Sequence, residues 1–424
     1  MKVKSITKKV NHYNQYIWNS LAGILNASEA VIIAMLVTRL SDIRTAGIFA
    51  ISFAIGNLFM NIGKFGVRTI QASDVTYSFS YEVYKRNRLI TTAAMLIVVG
   101  VFSFFSLYIL DYDYDKVLII AVINLIYVME SYEDFAWGEY QRKGRIDVGA
   151  KLFIFRWIMI LTVFAIAISI SQNAGLSILL AFVISSIIYF PFLIRVEKKI
   201  YYLHEISKKQ KSDDFLLFKM AFPLFLVGFL TYILNNLPKY CIDLWYDDIM
   251  QAEYGFIAMP VFAIGLLSNF IYAPRIKMLG DLINEDKNGF LIEVKKMVVV
   301  TLLISLISVF AAFFIGIPVL SFLYAVDLSM YKMEFMILIV TGALMAFVNY
   351  FLTVLTVIRE QKKIFAGYIV SVILAFAIMP VMIKKYELFG ASMGYGIVLL
   401  IQTGIFGIMM CRALKVASCD NLII

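Results

Sequence analysis

The sequence predicts an all-α membrane protein that crosses the bilayer about twelve times, with its helices arranged in two bundles of six. Of its 424 residues, 62% are hydrophobic and only 16% are charged, whereas a soluble chain carries about 25% charged residues. The apolar residues form long continuous runs of about 20 residues, the length that a membrane helix needs. Such runs are unlike the short alternating strands of a membrane barrel. A charged segment near mid-chain separates the first six runs from the last six.

The predicted spans follow one another with short connections, so that no loop is large enough to fold as a separate domain. They cover approximately residues 16–38, 45–66, 89–110, 117–137, 151–171, 174–194, 216–237, 254–274, 297–317, 335–358, 364–383 and 391–411. The first span is preceded by several lysines, as in a signal peptide, but it is too long for one and has no small-residue cleavage site. We therefore expect an uncleaved membrane helix.

The Lys and Arg residues indicate how the chain is oriented. If the N-terminus is cytoplasmic, 31 of the 38 Lys and Arg residues fall on the cytoplasmic side and 7 on the outer side. Cytoplasmic loops of membrane proteins carry such an excess of positive residues. Both termini are therefore expected in the cytoplasm, and the net charge of +9 reflects membrane orientation rather than nucleic-acid binding.

The predicted domain division follows the charged segment. It comprises an N-terminal six-helix bundle at 1–195, a charged cytoplasmic linker at 196–215, a C-terminal six-helix bundle at 216–411 and a cytoplasmic tail at 412–424.

Two short sequence matches suggest that the halves are related. Ile24–Asn26 recurs as Ile233–Asn235, and Phe53–Gly56 recurs as Phe262–Gly265. Chance matching in an apolar composition is the alternative explanation. A true repeat of six helices would be parallel, which is a transporter architecture with the pathway between the bundles.

The second span carries a polar stripe. Asn57, Asn61, Lys64 and Arg68 are spaced so that they share one face of a continuous helix. Charges at membrane depth cost about 2.5–3.5 kcal/mol each, so the stripe either faces a water-filled cavity or lets its cations reach the headgroups. The two asparagines are too short to reach them, which favours the cavity.

The first span contains a carboxylate, Glu29, near its midpoint, with Asn26 close by. A carboxylate at this depth is a candidate for coupling transport to protons or cations. The alternatives are a protonated structural Glu or a buried ion pair, for example with Lys64.

Other cations lie in or beside the later spans. Asn235 and Lys239 continue a polar face on the seventh span, Lys219 lies at its cytoplasmic start, and Arg156 lies one turn inside the fifth. Each is either part of a cationic cavity or an interfacial anchor.

The fourth span ends with Glu130, Glu133 and Asp134. We expect an exposed cytoplasmic helix end neutralised by nearby Lys and Arg; a cation site or pairing with arginines is the alternative. The chain has three cysteines and two histidines without metal-ligand spacing, and no phosphate-binding P-loop. We therefore predict no metal, no cofactor and no catalytic residues.

Three segments resemble bacterial polysaccharide flippases of the Wzx type. They are Gly63–Asp74, the opening Tyr16–Asn19 of the first span, and Asn235–Tyr240 at the end of the seventh. These flippases belong to the multidrug/oligosaccharidyl-lipid/polysaccharide (MOP) exporter superfamily, and the helix number, the division into six and six and the chain length extend the resemblance to the whole chain.

The resemblance implies a MATE-like fold in the cytoplasmic (inner) membrane of a bacterium. It implies a transporter, not an enzyme, that moves undecaprenyl-diphosphate-linked oligosaccharide units across the membrane by alternating access for O-antigen, capsule or a similar polysaccharide. The expected partners are the lipid-linked oligosaccharide, the membrane, a polysaccharide polymerase and other assembly proteins, without nucleic acid. The resemblance implies a cationic lumen in general, without assigning its positions, and five residues fit that expectation: Lys64, Arg68, Arg156, Lys219 and Lys239.

Two alternatives stay open. A multidrug/cation antiporter of the same superfamily would need acidic and aromatic groups in its cavity, whereas the predicted stripes are mainly cationic. A membrane polysaccharide polymerase would typically need a large outer loop, which the sequence lacks.

Overall fold

The computed structural model describes residues 12–74, 78–201, 212–272 and 275–419, and every regular element in these ranges is helical. The residues before His12, including the N-terminal lysines, lie outside the described part. The α-helices are α1 His12–Leu40, α2 Ile43–Lys64, α3 Val67–Ser73, α4 Tyr81–Tyr108, α5 Tyr114–Arg142, α6 Ile146–Ser171, α7 Ala174–Tyr201, α8 Ser212–Trp245, α9 Asp248–Tyr272, α10 Arg275–Glu285, α11 Lys287–Ala311, α12 Ile317–Tyr324, α13 Lys332–Val357 and α14 Gln361–Cys419.

The prediction of an all-α, multi-pass membrane protein is confirmed. Each predicted span overlaps a helix, and the last two both lie on α14, whose helical backbone is interrupted at Glu387 (φ 51°, ψ −128°). Within the described ranges, nine helices are long and apolar enough to cross a membrane. α5 is not among them, because three carboxylates interrupt its apolar run.

The chain divides into two compact units. The first comprises residues 1–42 and 52–229, and the second residues 43–51 and 230–424. α2 and α8 therefore each contribute to both units. α7 continues to Tyr201 and α8 begins at Ser212, so helices occupy both ends of the predicted linker; its residues 202–211, like residues 420–424 of the predicted tail, lie outside the described part.

In the first unit, α5 is the central helix and packs against α3, α4, α6 and α7. Because other helices surround it, both its apolar residues and most of its charged residues are buried. The outer helices instead expose large apolar side chains such as Ile97, Phe104 and Ile170. Such a surface is suited to lipid, which satisfies apolar side chains and lets helices keep their backbone hydrogen bonds internal.

In the second unit, α13 packs against α9, α11 and α14. A π-helical segment, Ala312–Gly316, separates α11 from α12. The start of α2 belongs to this unit, where Arg44 Nε lies 3.3 Å from Asp248 Oδ2.

The predicted continuous stripe on the second span is wrong in its last step. α2 ends at Lys64, because Phe65 (φ 46°) and Gly66 (φ 69°) adopt the left-handed conformation. Gly66 also approaches α8 closely, since a Cβ there would lie 2.8 Å from Leu224 Cβ. Arg68 therefore lies on the separate short helix α3 rather than on the same helix as Lys64.

Candidate functional site

A network of ion pairs lies inside the first unit, centred on Glu130 of α5. Its Oε1 accepts a hydrogen bond from Lys64 Nζ at 2.7 Å, and its Oε2 accepts one from Arg156 Nη2 at 2.7 Å. Glu130 and Arg156 are buried, whereas the Lys64 side chain is 29% exposed. Glu130 thus joins an inner cation on α6 to an outer cation on α2.

Glu133 lies one turn further along α5 and shares the same inner cation. Its Oε1 lies 3.0 Å from Arg156 Nη2, and its Oε2 accepts a hydrogen bond from the Tyr189 hydroxyl of α7. Both partners of Glu133 are therefore buried, whereas one partner of Glu130, Lys64, is partly exposed.

Asp134 repeats the pattern with two arginines. Its Oδ2 lies 2.7 Å from Nη2 of the fully buried Arg88, and its Oδ1 lies 3.3 Å from Nη1 of Arg68, which is 28% exposed. Arg88 Nη1 also donates to the carbonyl of Gly63 at 2.8 Å. Arg88 thereby connects α4 both to α5 and to the end of α2.

The guanidinium of Arg68 is held in one plane by three neighbours. Its Nε and Nη2 donate to Gln141 Oε1 at 3.1 and 3.0 Å, and Nη1 donates to Asp134. The group also lies 4.1 Å from the centroid of the Trp137 ring. These contacts use three of the five N–H groups of an arginine, so two remain for another acceptor.

Glu29 is buried but is not ion-paired with Lys64, because Lys64 contacts Glu130 instead. The Tyr127 hydroxyl donates to Glu29 Oε1 at 3.1 Å. Its electrostatic neighbours include Glu130, Arg156 and Lys64, so Glu29 belongs to the edge of the network.

The expectation that Glu130, Glu133 and Asp134 form an exposed helix end is wrong. They are 3%, 2% and 3% exposed, because α5 lies between four other helices. An unpaired buried carboxylate would cost several kcal/mol, and each is accordingly paired with at least one arginine. The alternative that they pair with nearby arginines is the one observed.

An open cavity of about 640 Å³ lies beside the outer cations. All of its lining residues belong to the first unit, and most are polar or charged. They are Asn61, Lys64, Gly66, Arg68, Thr69, Ala72, Ser73, Asp134 and Gln141. The cavity thus brings together three residues of the predicted stripe.

The other residues of the predicted site are placed elsewhere. Asn57 Nδ2 donates to its own helix at Phe53 O, 2.9 Å away. Asn26 and Lys219 are exposed, and Arg156 is completely buried behind Glu130.

Asn235 and Lys239 belong to the second unit. Asn235 Oδ1 accepts a hydrogen bond from the Tyr395 hydroxyl at 3.2 Å, and Lys239 Nζ lies 5.6 Å from the centroid of the Phe262 ring.

Asp74, the residue directly after α3, forms hydrogen bonds with residues at the start of α4 and just before it. Its carboxylate accepts hydrogen bonds from the backbone of Ser78 (2.8 Å) and Phe79 (3.1 Å) and from the Tyr84 hydroxyl (3.0 Å). Burial tends to raise the pKa of Asp74, but these hydrogen bonds outweigh it and hold the pKa below its usual value. The ionised carboxylate thus binds the backbone of Ser78 and Phe79 directly before α4.

Sequence reasoning missed Arg88, Tyr127 and Tyr189 as members of the network. In the orientation analysis, Arg88 is one of the 31 Lys and Arg residues on the cytoplasmic side. The signal that could have found Arg88 is the group of three carboxylates on α5, because buried carboxylates need cationic partners.

The structure resembles solved transporters at low sequence identity. No known protein family matches the sequence, and no curated protein matches it significantly. The lipid II flippase MurJ aligns with a TM-score of 0.69 and 14% identity over 96% of this chain and 90% of MurJ. A multidrug resistance MATE family transporter of the MOP superfamily aligns with a TM-score of 0.66 and 11% identity over 95% and 98%.

The MATE transporter VcmN of Vibrio cholerae, crystallised as a point mutant, aligns with a TM-score of 0.62 and 12% identity over 95% of this chain and 97% of VcmN. These alignments span nearly the full length of both chains in each pair. The chain therefore has the fold of the MOP-superfamily transporters.

Proposed function

We propose that this protein is a flippase that moves undecaprenyl-diphosphate-linked oligosaccharide units across the bacterial cytoplasmic membrane by alternating access. The observation that supports this most is the cavity beside Lys64 and Arg68. The MOP-like fold supports transport in general, and the cavity supports an anionic substrate with many hydroxyl groups.

The cavity suits a sugar-linked diphosphate because it offers two cations for the phosphates and polar groups for the sugar. A diphosphate is a compact polyanion, which is best held by charge-assisted hydrogen bonds in a partly desolvated site. Arg68 offers two further N–H groups in a fixed plane, and Lys64 adds a second cation. Asn61, Thr69 and Ser73 also line the cavity and supply polar groups for a sugar.

The balance of charges favours an anion over an organic cation. Two cations, Lys64 and Arg68, line the cavity beside one carboxylate, Asp134, which is itself paired with Arg68 and the buried Arg88. The cations that the cavity reaches are the partly exposed ones. A multidrug/cation antiporter would need the opposite arrangement, with carboxylates as the exposed members.

The double variant Lys64→Ala/Arg68→Ala should reduce flipping at least about tenfold, because each lost charge-assisted hydrogen bond costs about 1.5–3 kcal/mol. The measurement is transfer of a fluorescent polyprenyl-diphosphate-linked oligosaccharide across vesicles containing the purified protein.

The control for this experiment is Lys332→Ala/Lys385→Ala, which removes two exposed lysines of the second unit and should leave the rate unchanged. Full activity of the double variant, or transport of organic cations in place of the lipid, would refute the proposed function.

Glu29 is our candidate for coupling to an ion gradient, because it is a buried carboxylate next to the cation network. Glu29→Gln should keep binding the substrate but lose acceleration by an imposed proton or sodium gradient. Glu253→Gln is the matched control, since Glu253 of α9 also accepts a tyrosine hydroxyl, that of Tyr331 at 2.6 Å. An unchanged gradient response in Glu29→Gln would remove Glu29 from the mechanism.

The proposal also includes the setting of the protein. Both termini are proposed to be cytoplasmic, and the proposed partners are the lipid-linked substrate, a polysaccharide polymerase and other assembly proteins. The proposed role is transport and not catalysis.

A further inference from the structure

Two carboxylates of α5 each bind one inner and one outer cation. Glu130 contacts the fully buried Arg156 and the partly exposed Lys64, both at 2.7 Å. Asp134 contacts the fully buried Arg88 at 2.7 Å and the partly exposed Arg68 at 3.3 Å. In both cases the outer cation lines the cavity and the inner arginine does not; Asp134 lines it as well.

This arrangement makes the outer cations exchangeable. Removing the only partner of a buried carboxylate would leave an uncompensated charge. Here the inner arginine stays in place when the outer cation turns to another acceptor, so the carboxylate keeps a partner. The carboxylate and an entering phosphate therefore compete for the same cation.

We propose that Glu130 and Asp134 act as internal competitors of the substrate's phosphates. They hold Lys64 and Arg68 while the cavity is empty and yield them when a diphosphate enters, while Arg156 stays paired with Glu130 and Arg88 stays paired with Asp134. This inference rests on the proposed function and adds how the same site is regulated: the competition weakens binding, which favours release on the other side of the membrane.

The competition is expected to be strongest at Glu130. Lys64 contacts it at 2.7 Å, whereas Arg68 is 3.3 Å from Asp134 and has further support from Gln141 and Trp137. Arg68 can therefore leave Asp134 for a phosphate and still be held by Gln141 and Trp137, whereas Lys64 must leave the closer carboxylate of Glu130.

The neighbouring Glu133 provides a matched control. It lies one helical turn from Glu130, is equally buried and also contacts Arg156, but its second partner is Tyr189. Glu130→Gln and Glu133→Gln remove the same charge at nearly the same place, and only the first should release a cavity cation.

The experiment measures binding of inorganic pyrophosphate to the purified full-length protein by calorimetry. Glu130→Gln should bind about tenfold more tightly than the wild type, and Glu133→Gln should stay within about twofold of it. Lys64→Ala/Glu130→Gln should lose the gain. If Glu130→Gln does not fold, Glu130→Asp replaces it; its shorter carboxylate should give a smaller tightening.

The outcomes separate this inference from the proposed function. If binding requires Lys64 and Arg68 but Glu130→Gln binds no more tightly than Glu133→Gln, the competition is overturned and the diphosphate site stands. If the wild type and Lys64→Ala/Arg68→Ala bind pyrophosphate equally, the diphosphate site itself is overturned, and the competition with it.

Discussion

Replacing Arg156 with methionine should destabilise the protein by about 3–5 kcal/mol, because it removes one partner from buried ion pairs. Arg156 is completely buried and contacts both Glu130 and Glu133. Without it, Glu133 would keep only the Tyr189 hydroxyl and Glu130 would depend on the partly exposed Lys64. The result would be seen as a large drop in the denaturation midpoint in detergent.

The control is Arg195→Met, which removes an exposed arginine from α7 and should change stability by less than about 0.5 kcal/mol. A second comparison tests the cause. Arg156→Met combined with Glu130→Gln and Glu133→Gln should recover much of the loss, because replacing a whole buried ion cluster by neutral groups is often nearly neutral. A stable Arg156→Met variant would show that Glu130 and Glu133 do not need Arg156 to compensate their charges.

Replacing Gly47 with alanine should also destabilise the fold, by at least about 1–3 kcal/mol. Gly47 lies near the start of α2, in the part that belongs to the second unit. A Cβ at this position would overlap the backbone carbonyl of Asp248 at the start of α9. Because the obstacle is backbone, no side-chain rotation can relieve it, and the two helices would have to separate.

Gly100 of α4 is the matched control for Gly47. Nothing lies within 4 Å of a Cβ built there, and alanine is favoured over glycine inside a helix by about 0.5–1 kcal/mol. Gly100→Ala should therefore leave the denaturation midpoint unchanged or raise it. An equal response of the two variants would mean that the helices are not in contact at Gly47.

The helical spans could be predicted because hydropathy is a local property of the sequence. Each segment of about 20 apolar residues must form a helix in lipid to satisfy its own backbone. The helix break at Phe65–Gly66 was harder to predict, because Gly66 is required there by the approach of Leu224 from α8. That contact joins residues far apart in the chain.

The candidate site was predictable in part. The spacing of Asn61 and Lys64 placed them on one face of a helix, and both line the cavity. The same reasoning could not show that Lys64 is shared with Glu130, nor that Arg156 lies behind that carboxylate. Ion pairs between helices depend on which faces meet, and single-span periodicity contains no information about the neighbouring helix.

The sequence by itself determined the class of the protein and the positions of its membrane helices, since both follow from composition and from runs of apolar residues. Only the tertiary structure decided which charges are inner and which face the cavity. The cause is the enclosure of α5 by four helices, which buries Glu130 and Asp134, obliges each to take a buried arginine, and leaves Lys64 and Arg68 at the cavity wall.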